Sequence, residues 1–177
     1  MKTILVPLDG SALAEQILPT VSMLASTLRA NVHLLRVIAD DQGEQIVTEM
    51  NARAFPSVGP LTVQLQREQR AWDFLMQGAE SYLAGLATQL REAGIHVQSE
   101  VRPGIAAEQI VAVAASVPAA LIAMATHGYS GLRRWTLGSV ADKVVQAATV
   151  PVLVVRGVAE PRPAPALDRI LVPLDGS

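Results

Sequence analysis

The sequence contains no cysteine. That excludes disulfides, thiolate nucleophiles and Cys-based zinc sites, and it is compatible with a reducing compartment, so a cytoplasmic location is expected. Aromatic residues make up only 3% of the chain, so the core has to be built from Ala, Val, Leu and Ile. Charged residues are few, at 17%, and nearly balanced, with 14 basic against 16 acidic for a formal charge of −2. This lacks the strongly basic footprint of a nucleic-acid binder, and no nucleic-acid partner is expected. A run long enough to cross a membrane is also missing. The uncharged stretch 110–126 is short for a span and contains Pro118, which predicts a helix end, a turn and a buried strand instead. Pro7 and Asp9 interrupt the first apolar run too early for a signal peptide, so no secretory leader is expected.

What remains is an apolar chain of 177 residues, half of them hydrophobic. That is enough for one domain with a real core. Residues 3–8 read as a buried strand ending in Asp-Gly-Ser. Ile17, Leu18, Val21, Leu24, Ala25 and Leu28 fall on one face of a helix, with Pro19 either kinking it or lying in its first turn. Residues 31–38 form a second strand. The stretch 39–66 has poor periodicity and holds Gly43, Pro56, Gly59 and Pro60; it is read as a long insertion. Leu75, Ala79, Leu83, Leu86 and Leu90 mark a long amphipathic helix closed by Gly94. Strand 95–101, helix 106–116, strand 119–125, helix 139–148 and strand 150–156 follow. Strict alternation of strand and helix specifies a parallel sheet with helices on both faces. Ligands of such sheets sit beyond the C-terminal strand ends, where the strand order switches.

One of the loops at those ends, "THGYSGLRRWTLGS" at residues 126–139, carries the most information. Its glycines allow close backbone approach to a ligand and positive φ. Gly138-Ser139 opens a helix, whose free N–H groups and positive dipole end favour an anion. Ser139 is able to cap that helix or to donate its hydroxyl to a phosphate. Neither G-x-x-x-x-G-K-[ST] nor G-x-G-x-x-G is present, so P-loop and nicotinamide enzymes lose support. Asp9 is open to two readings, a ligand contact or a turn closure. His127 is a candidate ligand contact or a plain loop residue, and a metal site is not supported, as no second ligand lies near it in sequence. His33 and His96 are expected inside strands, in structural roles. Arg133 and Arg134 add positive charge to the loop or form a solvated face.

Residues 124–155, "MATHGYSGLRRWTLGSVADKVVQAATVPVLVV", resemble the C-terminal half of a universal stress protein domain. The family motif is Gly, two residues, Gly, nine residues, then Gly and Ser or Thr. His127-Gly128, nine residues and Gly138-Ser139 match it, while Ala125 stands at its first glycine. "ILVPLDGS" resembles the family's opening strand, and "RPGIAAEQIVAVA" its third strand exit and following helix. The resemblance spans 1–156 apart from 39–66. It implies a Rossmann-like α/β fold with a five-stranded parallel sheet, order 3-2-1-4-5, that often dimerises through its last strand. By motif, Pro7 and Asp9 would border adenosine and Val37 would give backbone contacts to adenine. Met124, Ala125, His127 and Gly128 would line ribose and phosphate, and Gly138, Ser139 and Val140 would hold the phosphate tail. The implied ligand is an adenine nucleotide, ATP with magnesium. The implied role is a stress-response module, with at most slow hydrolysis, since no base–nucleophile pair is visible. A dimerisation module with a degenerate site is the alternative. An adenylating enzyme would need a Ser-Gly-Gly-type pyrophosphate loop after the first strand, which "DGSALAEQ" lacks.

"ILVPLDGS" at residues 4–11 returns letter for letter at 170–177. Before it, "GVAEPRPAPAL" carries three prolines spaced two apart, a stiff extended linker. The expected organisation is one domain over 1–157, a linker over 158–167, and over 168–177 the first strand and loop of a second, truncated domain of a tandem pair.

Overall fold

The computed structural model describes residues 2–39, 61–126, 137–157 and 171. Five parallel strands, β1 (Thr3–Pro7), β2 (Asn31–Ile38), β3 (Val97–Pro103), β4 (Ala119–Thr126) and β5 (Val152–Arg156), form one sheet in the order β3-β2-β1-β4-β5. This is the predicted order. The chain steps one way from β1 to β3, then returns to β1's other side for β4 and β5. The switch therefore lies between β1 and β4, whose C-terminal ends are the place where sheets of this topology take ligands.

Among the described residues four α-helices cover the sheet: α1 (Leu18–Leu28), α2 (Leu61–Glu92), α3 (Ala106–Ser116) and α4 (Ser139–Ala147). The central strand β1 shows why two cores form. Ile4 and Val6 point to one face, with Val21 and Ala25 of α1 and Leu83, Leu86 and Leu90 of α2. Leu5 points to the other, with Ile110 and Val113 of α3 and Val144 of α4. A strand buried on both faces has to be apolar throughout, which is why β1 reads as an unbroken hydrophobic run. The largest fully buried side chains are all Ile, Leu or Val, as the scarcity of aromatics requires. Each contributes about 1.5–3 kcal/mol by leaving water.

Pro19 lies in the first turn of α1, where a missing N–H costs no helical bond. The helix ends at Arg29, in the left-handed region with φ 49°. Helix α2 starts at Leu61, well before the 75–90 stripe seen in the sequence. Gln66, Glu68, Gln69 and Arg70 are exposed there. Such residues favour helix without marking an apolar face, so periodicity misses them. Gln69 Nε2 also donates to Asp73 Oδ1 at 2.9 Å, one turn on. The remainder of the predicted insertion, 40–60, lies outside the described residues. Gly94 closes α2 with φ +80°, as predicted.

Strand β3 begins two residues later than expected. Ile95 is buried, but as the apolar contact that follows a glycine-terminated helix, its N–H donating back to the Leu90 carbonyl at 3.1 Å. His96 is thereby outside the strand and exposed, contrary to the sequence expectation. His33 is inside β2 and buried. Its Nε2 lies 3.2 Å from Glu100 Oε2, and Glu100 also accepts from Arg102 Nε. Strand β5 starts at Val152 rather than 150, because Pro151 has no N–H for the ladder; its carbonyl accepts instead from Ile122 N–H at 3.0 Å.

Candidate functional site

β1 delivers the chain to the switch point. Leu8 N–H still donates to the Leu35 carbonyl at 2.8 Å, so the pairing with β2 persists to the turn. The chain then reverses through Asp9-Gly10-Ser11. Gly10 has φ +85°, a conformation that disfavours any side chain. Asp9 Oδ1 accepts from Ser11 N–H at 2.8 Å, and Ser11 Oγ accepts from Ala14 N–H at 3.1 Å. These bonds close the turn and start the short 3₁₀ turn Ala14–Ile17. Asp9 is thus a turn-closing residue, and it remains exposed, with one carboxylate oxygen outside that bond.

β4 delivers the other wall. Thr126 ends it and holds two later segments. Its Oγ1 accepts from Gly138 N–H at 3.3 Å, and its carbonyl accepts from Gly157 N–H at 2.9 Å. Gly138 is the N-cap of α4, with φ −58° and ψ 154° and no side-chain cap. Two sequence expectations are corrected here. Ser139 is the first helical residue and not the cap. Gly138 does not need positive φ, since −58° is open to any residue. Its value is space: among the described residues a β-carbon there would meet only Thr126 Oγ1, at 4.0 Å. The first intrahelical bond runs from Asp142 N–H to the Gly138 carbonyl at 2.9 Å. The N–H groups of Ser139, Val140 and Ala141 therefore have no acceptor within the helix. First-turn donors of this kind suit a phosphate or other anion.

The remaining candidates are placed as follows. Pro7 ends β1 and pairs with Leu35 of β2. Val37 lies on β2, packed against the α3–α4 core. Met124 is buried in that same core, whereas Ala125 points to the opposite face and packs against the α1–α2 core. Val140 is exposed on α4. His127, Gly128, Arg133 and Arg134 lie outside the described residues. Sequence reasoning missed Thr126, Gly157, Arg36 and Tyr82. Only Gly157 left a trace, a glycine directly after an apolar strand.

Arg36 and Tyr82 flank the Asp9 turn. The Arg36 guanidinium carbon lies 5.2 Å from the Tyr82 ring centre. The Tyr82 hydroxyl is buried, and the nearby Glu15 carboxylate does not meet it with hydrogen-bond geometry. Burial pushes the phenol well above its usual range; Glu15 and Asp9 push the same way, against the opposing Arg36 charge. Tyr82→Phe keeps the ring and removes the hydroxyl, so near neutral pH stability should change by no more than about 1 kcal/mol. A raised phenol contributes stability that is fully present below the unfolded-chain pKa of about 10 and lost as pH rises through the folded value. Urea midpoints of the two proteins should therefore separate above pH ~10, with the Phe variant higher; parallel curves would contradict the assignment.

The strand order and its switch point define a doubly wound, Rossmann-like α/β domain. The chain matches the Universal stress protein family over residues 1–156, and it belongs to that family. It is 29% identical over 155 residues to Universal stress protein MJ0577 of Methanocaldococcus jannaschii, covering 88% of this chain and 94% of that one. It is 37% identical over 84 residues to Universal stress protein MJ0531 of the same organism, covering 48% of this chain and 49% of that protein. The solved structure of MJ0577 superposes with a TM-score of 0.68 at 27% identity, over 90% of this chain and 98% of that one. Two more distant structures share the fold. One is a universal stress protein in complex with cAMP, with TM-score 0.53 and 17% identity, over 89% of this chain and 98% of that one. The other is the universal stress protein from Archaeoglobus fulgidus in complex with dAMP, with TM-score 0.50 and 17% identity, over 87% and 97%.

Proposed function

We propose that this domain binds an adenine nucleotide, ATP with magnesium in the first place, and acts as a regulatory stress-response module rather than a dedicated enzyme. The observation that carries this reading is the start of α4: among the described residues only Thr126 Oγ1 comes as near as 4.0 Å to a β-carbon at Gly138, the first-turn N–H groups have no acceptor within the helix, and Thr126 ties Gly138 to the switch point. The adenosine would lie beside Pro7, Asp9 and the Val37 backbone. Met124, Ala125, His127 and Gly128 would line the ribose and first phosphate, and Gly138, Ser139 and Val140 would hold the phosphate tail. The cAMP and dAMP complexes formed by fold neighbours support the ligand class. Ala125 favours the second reading, a dimerisation module with a degenerate site; against it, the methyl group packs into the α1–α2 core. The test is the nucleotide content of the purified protein, released by heat and identified by chromatography. Adenine nucleotide in stoichiometric amount supports binding. A nucleotide-free protein that also retains no labelled ATP on dialysis favours the degenerate module.

The assembly is part of the same proposal. β5 is the last strand of the sheet, and Val140 and Val145 of the neighbouring α4 are exposed. Strand edges of this kind are normally covered. We expect a cytoplasmic homodimer through β5, or a pseudo-dimer with a second domain following the 158–167 linker. Sedimentation should show a dimer of the 1–177 chain; a monomer at high micromolar concentration would count against it.

A further inference from the structure

Gly10 and Arg36 meet in a way that neither the turn nor the core requires. A β-carbon on Gly10 would lie 3.1 Å from Arg36 Nη2 and 3.2 Å from Cζ and Nη1. The guanidinium plane therefore rests directly on the backbone of the Asp9–Ser11 turn. Its other neighbour is the Tyr82 ring, with Cζ 5.2 Å from the ring centre. Arg36 is thus a wedge between the turn on one side and α2 on the other. Such flat contacts need a planar cation, and a lysine ammonium cannot replace it. Among the described residues no carboxylate forms a salt bridge with Arg36, so ion pairing does not explain its placement. The adjacent β2 residue, Val37, faces the opposite core. Strand alternation puts Arg36 on the α1–α2 side, where Tyr82 of α2 meets it.

We propose that Arg36 is a positioning residue of the nucleotide site: stacked between Gly10 and Tyr82, it fixes the turn that presents the Asp9 carboxylate to the ligand. This rests on the nucleotide reading above. The mechanism is preorganisation. A turn held in its binding geometry before the ligand arrives loses less freedom on binding. Gly10 then serves twice, by accepting φ +85° and by leaving room for the guanidinium.

The proposal has a readout that does not need the ligand. Ser11 N–H is held by Asp9 Oδ1, so its hydrogen exchange reports how firmly the turn is kept. In Arg36→Ala, Ser11 exchange should accelerate about tenfold and ATP should bind about tenfold more weakly, with the thermal midpoint little changed. Arg36→Lys, which keeps the charge and loses the plane, should behave like Arg36→Ala. Gly10→Ala should weaken binding too, and less so when Arg36→Ala removes the atoms its β-carbon meets. Unchanged Ser11 exchange in Arg36→Ala overturns the proposal whatever the ligand does. Faster exchange with unchanged ATP affinity overturns the link to the site, and a Lys variant equal to the parent overturns the stacking argument. Absence of ATP binding by the parent protein overturns the nucleotide reading, and the assignment to its site falls with it.

Discussion

Gly138→Val should abolish ATP binding, by about a hundredfold or more, or ~3 kcal/mol, while the circular dichroism spectrum stays unchanged. The reason is the separation of two requirements at this residue. The backbone at Gly138 has φ −58°, so valine imposes no left-handed strain. Among the described residues the nearest atom to an added β-carbon is Thr126 Oγ1 at 4.0 Å, which leaves room for it. Valine is a poor N-cap, but against glycine that difference is about 1 kcal/mol or less. The ligand has no such tolerance. A phosphate held by the first-turn N–H groups of α4 has to approach the backbone within hydrogen-bond distance, about 2.7–3.2 Å, and two methyl groups would occupy that approach. Gly138→Ala, with one carbon, should fall between the two. A Val variant that binds ATP like the parent would place the phosphates elsewhere.

The second large effect is on stability. Gly157→Ala should destabilise the domain by about 1–3 kcal/mol, the usual cost of overpacking. Gly157 is buried after β5. A β-carbon there would lie 2.6 Å from Leu13 Cδ1, 2.9 Å from Leu13 Cγ and 3.2 Å from the Thr126 carbonyl oxygen. The leucine is able to rotate away. The carbonyl is less free, since it accepts from Gly157 N–H itself at 2.9 Å. Leu13→Ala in the same chain should recover part of the loss, which a thermal or urea double-mutant cycle would measure as positive coupling. Strict additivity would show that Leu13 is not the obstacle. Removing 158–177, expected from the sequence to be a linker and the start of a second domain, should leave the thermal midpoint nearly unchanged.

The fold was legible because its signals are of one kind. Val6, Leu34 and Ile122 sit in short apolar runs between helical stripes, and alternation of the two leaves a single topology class. Where the described structure departs from the sequence expectation, the pattern carried no information. Gln66, Glu68, Gln69 and Arg70 of α2 are polar and exposed, so no stripe marks that part of the helix. Ile95 is apolar because it caps α2, and apolarity alone does not separate a cap contact from a strand. The candidate site was legible in part. Asp9, Gly138 and Ser139 stood out through turn chemistry and a helix start, and the rest through family resemblance. Thr126 could not be found from local pattern, because its two partners are Gly138 and Gly157, far along the chain. The same holds for Arg36, whose neighbours Gly10 and Tyr82 come from a loop and a helix on either side of it in sequence. Of the two reasons that single out Gly138 in the sequence, positive φ is not used, since φ is −58°, and the missing side chain is what leaves room beside Thr126.

The central claim is that the switch point between β1 and β4 takes an adenine nucleotide. Calorimetric titration of the unmutated chain with ATP and magnesium tests it most directly. Saturable binding of one ATP per chain, lost in Gly138→Val, is the predicted result. No binding at millimolar ATP would contradict it, and the domain would then be a universal stress fold that works through its β5 surface without a nucleotide.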